Sequence, residues 1–148
     1  SGVRDLNWVE LLNAYTCTEC GRCTDACPAN ITGKKLSPRK IMMDTRDRLQ
    51  EVGKNIDANK GVFVPDNKTL LNDYITPEEL WACTSCNACV EECPVNINPL
   101  SIIMDMRQFL VMEQSAAPAP INTMFSTVEN NGAAWPYNQQ DRLNWKDE

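Results

Sequence analysis

The sequence predicts a mostly α-helical fold built from two similar halves related by a pseudo-two-fold repeat. Three observations support this prediction. The same cysteine motif occurs twice, each copy is followed by a helix that has proline at its first position, and no segment shows the apolar–polar alternation of a convincing β-strand. The chain has 148 residues, which is enough for one compact domain with an apolar core.

A helix is predicted directly before each cysteine motif. In the second half, Thr76 and Glu79 have the spacing of a capping box, and the short helix that they open leads into the motif. In the first half, apolar residues recur at helical spacing. They are Trp8, Leu11, Leu12 and Tyr15. We expect this apolar stripe to be buried in the core.

A longer helix is predicted after each motif. Ser37 and Asn98 are suitable N-caps, and the proline after each loses no intrahelical hydrogen bond at the first helical position. The two helices align through Arg46 and Arg107. We expect Gly53 to end the first of them. The expected buried stripes are Ile41, Thr45, Leu49 and Val52 in the first helix, and Ile102, Met106, Phe109 and Leu110 in the second.

The remaining segments are less regular. Residues 67–75 are compatible with a further short helix, and residues 62–64 with a short extended piece. We predict one domain over residues 1–114, followed over residues 115–148 by a linker and a polar tail that retains aromatic side chains. Such side chains often anchor a segment on a surface, which here is its own domain, a partner or a further domain.

The charges and the missing residue types exclude several functions. The net charge is −6 without a dominant basic stripe, so we expect no nucleic-acid partner. The chain contains no histidine, which excludes a Ser-His-Asp triad and any His-ligated metal. We interpret the basic cluster as a solvated loop and helix start, with a docking face for an acidic partner or an anionic membrane as the alternative. This basic cluster comprises Lys34, Lys35, Arg39 and Lys40.

All eight cysteines belong to two motifs of the form Cys-x2-Cys-x2-Cys-x3-Cys-Pro. This spacing is the ligand run of bacterial two-cluster ferredoxins, in which the fourth cysteine of each run binds the other cluster. We therefore predict two [4Fe–4S] clusters as cofactors. The predicted ligands are Cys17, Cys20, Cys23 and Cys93 for the first cluster, and Cys83, Cys86, Cys89 and Cys27 for the second.

Three other uses of the cysteines fit the sequence less well. Structural zinc would need two Cys-x2-Cys pairs per ion, and would leave the third cysteine of each run and the following proline unexplained. A disulfide framework is typical of small secreted chains, and no secretory leader is seen. A thioredoxin-like pair would need a βαβ setting, which the sequence does not predict.

In its long helical connection between the motifs the chain resembles the α-helical ferredoxins. These include the iron–sulfur C subunit of heterodisulfide reductase and the iron–sulfur subunits of anaerobic glycerol-3-phosphate dehydrogenase and glycolate oxidase. The two motifs, the helices after them and residues 80–86 carry the resemblance, which covers residues 5–114. The paired-cysteine CCG motif of the disulfide-reducing subunit is absent, since no cysteine follows Cys93.

The resemblance implies an electron-transfer module that relays single electrons to or from a catalytic oxidoreductase subunit of the CCG-domain or flavoprotein type. No catalytic residue is assigned to the chain itself. The alternative is a fragment of a larger, membrane-associated oxidoreductase whose CCG or membrane domain performs thiol–disulfide, quinone or 2-hydroxy-acid chemistry. A cluster-based sensor is a third candidate. We expect a cytoplasmic location, which includes the cytoplasmic face of a membrane if an anchor lies outside these residues.

Overall fold

A computed structural model describes residues 1–146, which are mostly helical and contain no β-strand, as predicted. The last two residues of the predicted tail lie outside this range. The helices are α1 (Trp8–Thr16), α2 (Arg22–Asp25), α3 (Pro28–Ile31), α4 (Pro38–Ala58), α5 (Leu70–Asp73), α6 (Pro77–Ala82), α7 (Ala88–Glu91), α8 (Pro99–Met112) and α9 (Ala119–Asn131). Two 3-10 segments, Val3–Asp5 and Gln139–Lys146, complete the secondary structure.

The chain divides into two compact units, one over Ser1–Phe109 and one from Leu110 onward. In the first unit α1 packs against α4, and α2 packs against both α4 and α7. The core contains side chains from both halves of the repeat. Its fully buried members include Leu36, Ile41, Met42, Leu70, Leu71, Ile75, Leu80, Ile102 and Ile103.

The predicted helix starts are confirmed by their capping hydrogen bonds. The Ser37 hydroxyl accepts from the Lys40 N–H at 3.3 Å, and the Asn98 side-chain oxygen accepts from the Ser101 N–H at 3.1 Å. At α6, the Glu79 carboxylate accepts from the Thr76 N–H at 2.8 Å while the Thr76 hydroxyl accepts from the Glu79 N–H. These caps fix where the helices next to the cysteine loops begin.

The expectation that the α1 stripe is buried is wrong for three of its four residues, and the fourth, Leu11, is half-buried. Trp8, Leu12 and Tyr15 are 73%, 54% and 50% exposed, whereas α1 buries Glu10 and Ala14. At roughly 100° per residue, Trp8, Leu12 and Tyr15 lie on the side of the helix opposite Glu10 and Ala14. The small Ala14 side chain is fully buried, so α1 faces the core with Ala14 and not with its largest apolar side chains.

The first long helix does not end at Gly53, because α4 continues to Ala58. Its last turns are held by Asn55, whose side chain donates to the Val64 carbonyl and accepts from the Val64 N–H, both at 2.9 Å. The same contacts satisfy both backbone groups of Val64. Residues 62–64 form an irregular segment and not a strand. Tertiary contacts thus outweigh the cost of about 1 kcal/mol of an interior glycine.

Two further segments differ from expectation. Within residues 67–75 only the single turn α5 forms, and Leu71 and Asn72 depart from helical dihedral angles. This kink allows the consecutive residues Leu70 and Leu71 both to be buried. In the tail, α9 was not predicted. It begins after Pro118 and ends at Gly132, whose φ of 66° suits a helix C-terminus.

Two of the four basic-cluster residues form ion pairs. Lys35 lies 2.6 Å from Glu78, and Lys40 lies 2.7 Å from Asp44 and 2.9 Å from Glu79. The Lys40–Glu79 contact connects α4 with α6, and the exposed Lys35–Glu78 contact connects the loop before α4 with α6. Within residues 1–146, none of the helices combines the length and the apolar character that crossing a bilayer requires.

Candidate metal centre

The two cysteine loops share an unusual backbone conformation. Glu19 and Ser85 occupy equivalent positions between the first and second cysteines, and their φ angles are 58° and 56°. Gly21 and Asn87, two residues further on, also have positive φ, at 86° and 61°. Positive φ is uncommon for residues other than glycine. Its recurrence at matching positions shows that the sequence repeat is also a structural repeat.

The third cysteine of each motif lies at the contact between the two halves. Cys23 is the second residue of α2, and Cys89 is the second residue of α7. Because α2 packs against α7, the two motifs meet at the centre of the pseudo-two-fold repeat.

A cavity that is partly open to solvent brings together four of the predicted ligands. The first motif contributes Cys17, Cys20 and Cys23, and the second contributes Cys93. Apolar residues form much of the remaining wall. They include Met42, Pro94, Val95, Ile97 and Pro99. The structure thus assembles the predicted first ligand set from both motifs.

The surroundings of Cys89 bring together three of the four ligands predicted for the second cluster, Cys89, Cys83 and Cys27. Burial raises the pKa of the Cys89 thiol to about 11, and the nearby thiols of Cys83, Cys23 and Cys27 act in the same direction. Cys27, from the first motif, is therefore close to the second. Cys27 and Cys89 are both buried, whereas Cys86 is exposed.

The electrostatics of the other thiols follow from their positions. Burial raises the pKa of Cys23, and the thiols of Cys17, Cys20 and Cys93 add to the effect. The Ala88 N–H, near the start of α7, lowers the pKa of the exposed Cys86 thiol, with help from Thr84.

This donor set fits an iron–sulfur cluster. Buried thiols that crowd one another resist ionisation, and cationic iron would offset the repulsion among their thiolates. In the part of the chain that the structure describes, no three Cys, Asp or Glu side chains converge as closely as ligation of a single metal ion requires. The four cysteines of the first set line one cavity.

Two arginines next to the loops were not identified from the sequence as site residues. Arg46 of α4 lies 2.5 Å from the Glu19 carboxylate. Arg107 of α8 donates to the Leu80 carbonyl at 2.6 Å and to the Cys83 carbonyl at 2.5 Å. The only sequence signal for them was their equivalence in the aligned helices, because their partners become neighbours only in the folded chain.

Comparison with known proteins adds an independent observation. Residues 16–97 match the family model described as a 4Fe-4S dicluster domain. The protein named "Probable iron-sulfur-binding oxidoreductase FadF" of Bacillus subtilis is 33% identical over 99% of this chain. The EtfAB:quinone oxidoreductase of Syntrophomonas wolfei is 32% identical over 99% of the chain. The C subunit of the ferredoxin/F420H2-dependent CoB-CoM heterodisulfide reductase of Methanosarcina acetivorans is 31% identical over 74%.

The alignments cover only part of each relative. The chain spans 25% of the Bacillus protein, 23% of the Syntrophomonas protein and 53% of the Methanosarcina protein. The predicted resemblance to iron–sulfur subunits of the heterodisulfide reductase type is confirmed. The dicluster description also confirms the predicted cofactors, two [4Fe–4S] clusters. Which cysteines hold each cluster stays a prediction.

Proposed function

The chain belongs to the 4Fe-4S dicluster domain family of iron–sulfur electron-transfer proteins, and from this premise we propose that it relays single electrons between a donor and a catalytic oxidoreductase subunit. When bound, each [4Fe–4S] cluster supplies a site that takes up and releases one electron. The observation that carries the proposal is the cavity that joins Cys93 to the three leading cysteines of the other motif.

In the proposed ligation each cluster has three ligands from one motif and one from the other. The cavity wall supports the set of Cys17, Cys20, Cys23 and Cys93. The proximity of Cys27 to Cys89 supports the set completed by Cys83 and Cys86. Cross-ligation of this kind links the two halves of the fold, so that metal binding also contributes to folding.

The side chains also suggest a route for the relay. Cys20 and Cys86 are equivalent in the repeat and are both exposed. Cys23 and Cys89 lie on the two helices that pack against each other at the centre. An electron would enter beside one exposed cysteine, cross near the α2–α7 contact and leave beside the other. The apolar wall of the first cavity limits the access of water to the thiolates.

The proposed partner is a catalytic subunit of the CCG-domain or flavoprotein type. The Methanosarcina relative is named as a subunit of a heterodisulfide reductase, which supports the first type. The Syntrophomonas relative is named an EtfAB:quinone oxidoreductase, which supports quinone as the class of terminal acceptor in a related assembly. Quinones reside in the lipid phase, so an acceptor of this class would place the assembly at a membrane.

Electron counting tests the relay. The anaerobically purified chain is titrated with dithionite while the visible absorbance is recorded, and is then reoxidised with a soluble acceptor. We expect two electrons to be taken up per chain and both to be returned. A chain that contains iron yet takes up no electron reversibly would contradict the proposal.

The second candidate is that these residues are one segment of a larger oxidoreductase that contains the catalytic or membrane domain in the same polypeptide. The observation that favours it is that the chain spans about a quarter of the Bacillus and Syntrophomonas relatives. The complete reading frame that contains this sequence decides the question. A CCG motif or membrane helices in that frame would support the second candidate, and a frame without them would support a separate subunit.

A further inference from the structure

The two cysteine motifs differ in charge at three equivalent positions, which are Glu19 and Ser85, Arg22 and Ala88, and Ala26 and Glu92. Only the first of these positions faces an arginine from the helix that follows the motif. Glu19 and Ser85 are equivalent in the repeat and share the same left-handed backbone conformation. Each is the second residue after a leading cysteine, Cys17 or Cys83, and so lies within three residues of two predicted ligands of a single cluster. The side chain at this position carries a negative charge in the first loop and is neutral in the second.

The helix that follows each motif places an arginine beside the side chain at this position. The Arg46 guanidinium lies 2.5 Å from the Glu19 carboxylate, and Arg46 is also 3.6 Å from Asp47 on its own helix. In the other half, the guanidinium of Arg107 lies 3.5 Å from the Ser85 hydroxyl. The arginines are thus equivalent in place as well as in sequence.

The surroundings of the two guanidinium groups differ in charge. Within residues 1–146, the hydrogen-bond acceptors of Arg107 are the neutral carbonyls of Leu80 and Cys83 and the Ser85 hydroxyl. Its guanidinium also lies 4.9 Å from the centre of the Trp81 ring. The positive charge of Arg46 is therefore balanced within its cysteine loop, and that of Arg107 is not.

We propose that residues 19 and 85, each facing its arginine, set the reduction potentials of the two clusters separately. This proposal rests on the proposed function, because it requires a cluster at each loop. Adding an electron to a cluster increases its negative charge, so an unbalanced positive charge beside the ligands favours the reduced state. Glu19 cancels the effect of Arg46, and Ser85 leaves the effect of Arg107 in place.

Opposite substitutions test the proposal without requiring the absolute order of the two potentials. Glu19→Gln removes the negative charge beside Arg46, and we expect it to raise one midpoint potential. Ser85→Glu introduces a negative charge beside Arg107, and we expect it to lower the other. Each change should alter the equilibrium constant for reduction roughly threefold to tenfold, or about 28 to 59 mV for one electron.

The measurement is a redox titration of the full chain followed by electron paramagnetic resonance, with iron counted in every sample. Ser85→Gln is the matched control for Ser85→Glu, because it has the same size and the same backbone strain without the charge. Asp57→Asn removes a charge from an exposed residue near the end of α4, more than two turns beyond Arg46. Neither control should move either potential.

The outcomes separate this inference from the function on which it rests. Full iron content with one potential raised by Glu19→Gln and the other lowered by Ser85→Glu supports the proposal. Three results at full iron content overturn the inference alone. Both potentials stay unchanged, both variants move the same potential, or Ser85→Gln shifts a potential as much as Ser85→Glu does. A parent chain that binds no iron under anaerobic conditions overturns both. If Glu19→Gln fails to fold, the comparison of Ser85→Glu with Ser85→Gln still shows whether the added charge, and not the larger side chain, shifts the potential.

Discussion

Cys93 lines the same cavity as Cys17, although the two residues belong to different copies of the cysteine motif. Cys93 and the following Pro94 form part of the wall of this cavity, together with the first three cysteines of the other motif. Cys27 has the matching relationship with Cys89. Each fourth cysteine thus lies near the other motif, which is the arrangement that the proposed cross-ligation of two clusters requires.

Removing a fourth cysteine should damage the cluster of the other motif. We expect Cys27→Ser to reduce the iron content and to alter the resonance of the cluster at Cys83, Cys86 and Cys89. Its spectrum after dithionite should match that of Cys86→Ser, which removes a ligand within the second motif. A match with Cys20→Ser instead would show that Cys27 serves the first motif, and would refute cross-ligation.

Removing the metal should unfold much of the helical structure. Several of the short helices, such as α2 and α7, have only four residues each, and isolated helices of that length are not stable in water. We expect chelation under anaerobic conditions to cause a large loss of helical circular dichroism, and reconstitution with iron and sulfide to restore it. A spectrum that survives chelation would show that the fold is stable without its clusters.

The buried Glu10 should make stability depend on pH. Burial raises the pKa of the Glu10 carboxyl above its ordinary value of 4.5, and the neighbouring Asp105 carboxyl adds to the shift while Asn7 and Ser101 oppose it. The folded chain therefore retains a proton that the unfolded chain releases. Stability from this source is complete below about pH 4.5 and is lost as the pH rises through the higher folded value.

Glu10→Gln tests this effect, because glutamine stays neutral and can still accept the Asn7 N–H in the cap. We expect the variant to have a higher thermal midpoint than the parent at pH 8, and a much smaller gain at pH 5.5. The cluster absorbance serves as the probe of the folded state. An equal shift at both pH values would show that the titration of Glu10 does not contribute.

The loss of unfolding free energy when a large apolar side chain is truncated should depend on how buried that side chain is, and not on its hydrophobicity alone. Trp8 is 73% exposed, whereas Leu80 is fully buried beside the second motif. We expect Trp8→Ala to change the free energy of unfolding by less than about 0.5 kcal/mol, and Leu80→Ala to lower it by about 2–5 kcal/mol. Anaerobic urea denaturation measures both. A loss of similar size at Trp8 would mean that α1 packs through that face.

The parts of the fold that could be predicted from the sequence are those determined by neighbouring residues. The caps at Ser37, Thr76 and Asn98 depend on side chains within three or four positions, and all three form as expected. The cysteine spacing likewise determines a local loop geometry, which repeats in both halves.

The parts that could not be predicted depend on distant contacts. Apolar spacing along α1 gave no indication that Ala14, and not Trp8, would face the core. Glycine commonly ends a helix, but the contacts of Asn55 with Val64 stabilise the turn of α4 that follows Gly53. The arginines beside the cysteine loops meet backbone carbonyls and a carboxylate that lie far from them in the sequence.

The most direct test of the dicluster assignment is an iron, sulfide and zinc analysis of the anaerobically purified chain, together with an electron paramagnetic resonance spectrum after dithionite. For two [4Fe–4S] clusters we expect about eight iron and eight sulfide ions per chain, with a spectrum of two interacting reduced clusters. Zinc near two per chain that persists through reconstitution with iron and sulfide would contradict the assignment and indicate a structural metal site.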